Sequence, residues 1–346
     1  MKILVISLAG IGNLIMGTPV VKAMRKKYKN ARIDLLLFAF NSKDVLDKSY
    51  VDNTYIWKDR NFTLTEKKPN ILYSFFSRAF LLLKLKTEGY DLSISLDPSA
   101  SEHQGKIAKL IGAKKRIGFE NNFYTGSVKM NNEITSIENN LNLLKPLGII
   151  AKDKKPIFCI SKENKEYADN FFEDNNIKYA IGIHAGVYFK RPMRKWSIDK
   201  WAGLCKEIIK KYGCNILSIE GASEFGVTDE IKKRIEDNYV RDKIQTVRTT
   251  LKNVGAIISK CRLFISNDSG IMHTASCFIR TIGIFGYTDY IKHPPSNNGI
   301  VVRKDLNCYK TCTFKNTAGD KMPECNLKCL RLIMVEDILK EVEKLW

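Results

Sequence analysis

Apolar residues recur along this chain in two rhythms. Residues 2–7 form a short apolar run rich in β-branched side chains, a glycine-containing turn follows, helical spacing holds over 14–28, and 33–38 is a second apolar run. Strand, glycine turn, helix and strand in that order make a βαβ unit, which predicts a parallel sheet covered by helices. The pattern returns with a helix over 72–86, a strand over 91–96, a helix over 104–111 and a short strand at 116–118. Beyond an Asn- and Lys-rich stretch at 120–132, a helix is expected over 138–147, stopping at Gly148. Residues 152–156 are polar, carry a proline and read as the start of an interdomain connection.

The alternation then restarts. Strands are expected at 179–184, 215–219, 263–266 and 281–285, and helices at 198–212, 228–236, 253–260 and 270–277. A helix with charged and apolar faces closes the chain over 330–345. Two successive α/β arrays predict two facing Rossmann-like domains, 1–155 and 156–346, each with a parallel sheet. A ligand cleft is expected at the carboxyl ends of the strands, between the domains.

Charge and composition narrow the chemistry. The 346 residues carry 57 Lys and Arg against 37 Asp and Glu, a net charge of +20, and 44% are hydrophobic. That is enough apolar material for real cores, which excludes a disordered or fibrous chain. The charge attracts anions. Its groups (Lys26-Lys27, Lys114 to Arg116, Arg191 to Lys195) are scattered, with no basic arm interleaved with aromatics, so no nucleic-acid partner is expected. The most apolar stretches, 3–15 and 75–85, are broken by glycines or by Arg78 and Lys84, short of the roughly 20 apolar residues of a membrane span. The opening residues lead into glycines, Pro19 and a basic helix rather than a small-residue cleavage site, so a cytoplasmic protein is expected. Nine cysteines, an odd number, fit reduced thiols.

Four strand ends carry unusual residues. In Ala9-Gly10-Ile11-Gly12-Asn13 the glycines permit close approach to a ligand, and Gly12 is a candidate donor contact. The third glycine of a dinucleotide fingerprint is missing, and Asp34 lies within a strand rather than at its end. In Leu96-Asp97-Pro98-Ser99, Asp97 falls where a carboxylate would point into the crevice as a general base, though it serves equally as a helix cap or turn former. His184-Ala185-Gly186, followed by Arg191, Arg194, Lys195 and Trp196, suits a diphosphate. Asn267-Asp268-Ser269-Gly270-Ile271-Met272-His273 passes directly from strand to helix, putting the Ser269 and Gly270 amides at the positive end of the helix dipole, a site for phosphate with His273 one turn on.

In order along nearly the whole chain, several segments resemble glycosyltransferase family 9, the heptosyltransferase family of bacterial lipopolysaccharide synthesis. They are Gly10-Ile11-Gly12-Asn13-Leu14-Ile15-Met16-Gly17-Thr18-Pro19, Ala113-Lys114-Lys115-Arg116-Ile117-Gly118-Phe119, Lys195-Trp196-Ser197 with Trp201-Ala202, Glu220-Gly221-Ala222-Ser223-Glu224, Asn267 to Ala275, and Ile284-Phe285-Gly286-Tyr287-Thr288-Asp289. The resemblance implies a GT-B fold with an N-terminal acceptor domain and a C-terminal domain for a nucleotide sugar, usually ADP-heptose. It implies inverting, metal-independent transfer to a lipopolysaccharide core or related surface glycan; the basic charge outside the donor cluster, Lys114 to Arg116 included, is expected to favour approach to a phosphorylated glycolipid at the inner membrane surface. Carried over by position, Lys195 contacts the donor phosphates, Glu224 the ribose, and Asp268, Ser269, Gly270 and His273 the diphosphate and sugar. Where many family members have a catalytic Asp after the N-terminal glycine, this chain has Asn13, and an amide cannot take the acceptor's proton. Asp97 is the favoured replacement base, with Glu102 and His103 in reserve. The alternatives are a protein acceptor or a donor-binding protein with little turnover.

Cys308, Cys312, Cys325 and Cys329 form C-x3-C, twelve residues, then C-x3-C. Four thiolates suit a structural zinc or iron ion, although zinc sites more often begin C-x2-C, and reduced packing cysteines are the default. Cys159, Cys205, Cys214, Cys261 and Cys277 lie in apolar contexts and are expected in the core. The terminal helix is expected to pack back across the domain junction, as in GT-B proteins.

Overall fold

The computed structural model describes residues 1–38, 40–57, 71–187, 192–221, 224–309, 312 and 325–346. The chain forms two compact units, Met1–Cys159 and Ile160–Trp346. The division falls four residues beyond 155, because the segment after Pro156 stays tied to the first unit. The Ile157 amide donates to the Thr18 hydroxyl at 2.8 Å and the Cys159 amide to the Val45 carbonyl at 2.8 Å.

In the first unit β1 (Lys2–Ser7), β2 (Arg32–Leu37), β3 (Asn53–Ile56), β4 (Leu92–Ser95), β5 (Lys115–Phe119) and β6 (Gly126–Val128) form a parallel sheet in the order β3-β2-β1-β4-β5-β6. Its helices are α1 (Ile11–Lys27), α2 (Ile71–Glu88), α3 (Ser101–Ile111) and α4 (Ser136–Asn142). The second unit has β7 (Ala180–His184), β8 (Asn215–Ile219), β9 (Ile244–Val247), β10 (Leu263–Asn267), β11 (Thr281–Ile284) and β12 (Ile300–Val302), parallel and in the order β12-β11-β10-β7-β8-β9. With it go α5 (Lys162–Asp174), α6 (Ile198–Tyr212), α7 (Val227–Lys232), α8 (Asn238–Asp242), α9 (Leu251–Lys260), α10 (Gly270–Ala275), α11 (Lys328–Arg331) and α12 (Val335–Leu345).

Counted within its own unit, each sheet has the doubly wound order of the Rossmann fold, in which the direction of winding reverses between the first and fourth strands. The central strands β4, β7 and β10 are buried along their whole length, as parallel strands covered on both faces must be. The reversal points, β1 beside β4 and β7 beside β10, are where such sheets open a crevice for ligands.

The second core is anchored by Trp196 and Trp201, both fully buried and packed edge to face with ring centres 5.3 Å apart. The Trp196 indole donates to the Ile333 carbonyl at 3.0 Å. The closing helix expected over 330–345 is therefore broken: α11 ends, Ile333 is buried at the Trp196 contact, and α12 restarts with the Asp337 carboxylate accepting from the Met334 amide at 2.7 Å. Ile338 and Val342 then pack with the core of the second unit, where α12 lies against α6 and β12.

Asp34 is fully buried in β2 and held by Tyr90 Oη at 2.7 Å, Asn53 Nδ2 at 2.9 Å and Arg32 at 2.8 Å. It is an internal strut, in keeping with its mid-strand position. Among the described residues no helix is long and apolar enough to cross a membrane.

Candidate functional site

At the reversal point of the first sheet, the chain leaves β1 for α1, whose first turn carries Gly12 and Asn13, and leaves β4 through Leu96 to Asp97. A side chain on Gly17 would meet Leu96 Cδ1 at 2.5 Å, so this glycine lets α1 lie close to the end of β4. Asn13 Nδ2 donates to Asp97 Oδ2 in a very short contact, joining the two residues expected to be catalytic. Asp97 is 7% exposed and has φ of 71°, a left-handed conformation that Asp tolerates better than most residues but still at some cost. It is held there from two further helices: Asn140 Oδ1 accepts from its amide at 3.3 Å, and Gln104 Nε2 donates to its carbonyl at 3.4 Å. The reserve candidates are placed differently. Glu102 is exposed and pairs with Lys106 at 2.6 Å, and His103 meets Trp57 edge-on. A cavity of about 600 Å³ opens next to Asp97 along the chain, lined by Pro98, Ser101, Glu102, Glu120, Asn121 and Phe123 among others.

In the second unit, β7 ends at His184 and β10 at Asn267, on adjacent strands. His184 Nε2 lies 2.9 Å from Glu224 Oε2. A carboxylate only accepts, so Nε2 carries the proton, and Nδ1 faces the Ser269 hydroxyl at 3.0 Å. Ser269 also caps α10, accepting from the Met272 amide at 3.2 Å. The Gly221 amide donates to Glu224 at 3.0 Å, and a Cβ on Gly186 would come within 2.7 Å of the Glu224 carboxyl carbon. Burial pushes the Glu224 carboxyl upward, but His184, the Gly221 amide and the nearby Lys195 outweigh it and hold the group below the usual carboxylate range. Lys195 itself is exposed.

Asn267, fully buried, joins two loops. Its Nδ2 donates to the carbonyls of Ala185 at 2.8 Å and Gly186 at 3.3 Å, and its Oδ1 accepts from the Trp196 amide at 3.1 Å. Asp268, nearly buried, pairs with Arg194 at 2.9 Å. Gly270 opens α10, which is only six residues long. Arg191 lies outside the described residues.

His273 is buried, its Nδ1 has no hydrogen-bond partner among the described residues, and desolvation pushes its pKa down to about 4. The ring is therefore neutral at pH 7. Because the folded pKa lies below the unfolded value near 6.5, protonation favours unfolding, and stability is lost as pH falls from about 6.5 to 4, by about 3 kcal/mol in total. His273→Gln is expected to remove that share of the acid sensitivity, as the difference between the two proteins in urea unfolding at pH 7 and at pH 4.5.

The four tail cysteines line one small cavity of about 80 Å³ together with Gly286, Tyr287 and Lys304. Burial, with the charges of Cys325, Cys312 and Cys308, pushes the Cys329 thiol up to about 11. Among the described residues no three His, Cys, Asp or Glu side chains are grouped so as to hold a metal ion. Cys205, Cys214, Cys261 and Cys277 are buried as expected, and Cys159 is half-buried.

Two positioning roles were not apparent from the sequence: His184 as the link between Glu224 and Ser269, and Asn267 as the joint between the Ala185-Gly186 and Trp196 segments. Both depend on β7 lying beside β10, an adjacency that no local pattern reports. The available signal was a His and an Asn each ending an apolar strand.

Residues 78–321 match the family model for glycosyltransferase family 9 (heptosyltransferase). Lipooligosaccharide heptosyltransferase 2 of Campylobacter jejuni is 23% identical over 352 residues, a match covering 100% of this chain and 99% of the relative. The solved ADP-heptose LPS heptosyltransferase II of E. coli superimposes with a TM-score of 0.76 at 20% identity, over 100% of this chain and 98% of the other. The iron-containing dodecameric glycosyltransferase TibC from enterotoxigenic E. coli superimposes with a TM-score of 0.57 at 13% identity, over 99% of this chain and 78% of its own. Two doubly wound units carrying the ordered motifs, and a family match across most of the chain, lead to one assignment: this protein belongs to glycosyltransferase family 9, the heptosyltransferases.

Proposed function

We propose that the chain transfers heptose from ADP-heptose to a lipopolysaccharide core or related surface glycan, with inversion and without a catalytic metal. The observation that carries the mechanism is the Asn13–Asp97 pair at the reversal point of the first sheet. In an inverting transfer the acceptor oxygen bonds to the anomeric carbon while the bond from that carbon to the diphosphate oxygen breaks. ADP leaves with the electron pair, and the acceptor's proton goes to a base. Asp97 is that base, and Asn13, unable to take the proton, aims the carboxylate through its amide.

The second unit holds the donor. Glu224 accepts from the ribose, Lys195 faces the phosphates, and Ser269, Gly270, Asp268 and His273 contact the diphosphate and sugar. The leaving diphosphate gains charge in the transition state, so a cation and preset N–H groups stabilise it there more than in the ground state. The acceptor is lipid-anchored and phosphorylated, and the reaction takes place at the cytoplasmic face of the inner membrane, where a chain of net charge +20 is drawn to anionic groups.

Thermal shift against a nucleotide-sugar panel tests the donor, since a ligand of the folded state raises apparent stability by mass action. ADP-heptose and ADP are expected to raise Tm where UDP and GDP sugars do not; no response to ADP ligands would remove the heptosyl reading. Asn13 in place of the family's Asp favours one second reading, a donor-binding protein with little turnover. Donor binding with no ADP release when acceptor is added would select it.

The four tail cysteines hold one structural iron or zinc ion in this proposal. Four thiolates suit either metal and line one cavity, and TibC is described as iron-containing; among the described residues no three of the cysteines are grouped to hold an ion, so binding would have to draw their thiolates together. About one metal ion per chain is expected in freshly purified protein and much less in Cys325→Ser/Cys329→Ser; metal-free wild-type protein would contradict it.

A further inference from the structure

Helix α2 has two apolar faces, one packed on the first unit's core and one largely exposed. Ser74 and Leu85 are buried, and Leu81 and Leu82 pack into the first unit's core beside Leu85 and α3. On the other side Tyr73, Phe75, Phe76, Phe80 and Leu83 are each more than half exposed, Phe80 at 72%. Tyr73, Phe76, Phe80 and Leu83 follow one another at intervals of three or four residues, so they stand in a single stripe. Phe75 sets its ring edge-on beside Phe76, with centroids 5.7 Å apart. Isolated exposed apolar residues are ordinary, but five large ones on one helix form a contiguous patch of the kind that marks an interaction surface. The exposed Lys84 and Lys86 flank it, with Lys84 Nζ 5.3 Å from the Tyr55 ring centre.

From this combination we infer that α2 is a membrane-docking helix, its aromatic stripe entering the headgroup boundary of an anionic bilayer. Aromatic side chains favour that boundary, and cations at the edge of the stripe meet lipid phosphates. Charge selects the bilayer over a second copy of the chain: a self-interface would bring together two molecules of net charge +20 with lysines at the rim, whereas an anionic surface complements both. Only the purpose of docking, bringing the enzyme to a lipid-anchored acceptor, rests on the function proposed above.

The test is co-sedimentation of the full chain with vesicles of phosphatidylethanolamine and phosphatidylglycerol, against phosphatidylcholine vesicles. The wild type is expected to partition onto the anionic vesicles, and Phe76→Ser/Phe80→Ser to bind about tenfold less. Lys84→Glu/Lys86→Glu is expected to weaken only the anionic binding. Thermal melting verifies that the exposed-site variants remain folded, and Phe80→Trp gives an independent readout, a blue shift of its emission on vesicles. Heptosyl transfer to a water-soluble core acceptor is expected to be unchanged in the Phe variant, so loss of docking and failure of the functional reading are separate results. Equal vesicle binding by wild type and Phe variant overturns the inference. So does a wild type that ignores vesicles but forms a dimer in sedimentation velocity that the Phe variant loses, which assigns the stripe to a second copy.

Discussion

Asp97→Asn is expected to lower turnover by about 10²- to 10⁴-fold, the usual contribution of a positioned base, while donor affinity stays nearly unchanged. The loss should be chemical rather than structural. Asn is among the few residues that adopt the left-handed conformation of Asp97, and its amide oxygen can still accept from Asn13. Glu102 and His103 offer no substitute, since one pairs with Lys106 and the other packs on Trp57. Asn13→Asp sharpens the test. It would place a second carboxylate in hydrogen-bond contact with Asp97, and two such groups share one proton, raising an apparent pKa. The rising limb of the pH–rate profile should then move to higher pH, with lower activity at pH 7. A variant faster than wild type at pH 7 would mean that position 13 is the better base and that Asp97 has been misassigned.

The second large effect is expected at Asn267. Asn267→Ala leaves the Trp196 amide and the Ala185 and Gly186 carbonyls without their partner in a fully buried site. Each orphaned buried group costs about 1–3 kcal/mol, so a loss of about 3–5 kcal/mol is expected, lowering Tm by about 10 °C. Nucleotide binding should fall with it. Lys195 precedes Trp196, and Gly186 lies against Glu224, so the joint that Asn267 makes sets the spacing of the groups proposed to hold the donor. A variant with wild-type Tm and wild-type ADP affinity would show that the joint is dispensable.

The sheet centres were legible in the sequence and the sheet edges were not. Strands β1, β4, β7 and β10 are apolar runs because helices cover both their faces. The four strands left unassigned by pattern, β3, β6, β9 and β12, are the outermost strands of the two sheets. They are three or four residues long and part-exposed, so they lack the continuous apolar run that marks a buried parallel strand. Helix α5 was missed for a related reason: it buries only Ala168 and Phe172, and its charged remainder reads as loop. At the sites, Asp97 and Ser269 stood out because each follows an apolar strand directly. The links from Asn13 to Asp97 and from His184 to Ser269 join residues more than 80 positions apart, and strand order, not local pattern, brings them together.

The most direct measurement incubates the purified chain with ADP-heptose and a lipopolysaccharide core acceptor lacking heptose, following ADP release and the mass of the acceptor. The expected result is acceptor-dependent release of ADP, with one heptosyl unit gained by the acceptor, in wild type and at a small fraction of that rate in Asp97→Asn. Binding of ADP-heptose with neither ADP release nor a change in acceptor mass would contradict the assignment of this chain as a working heptosyltransferase.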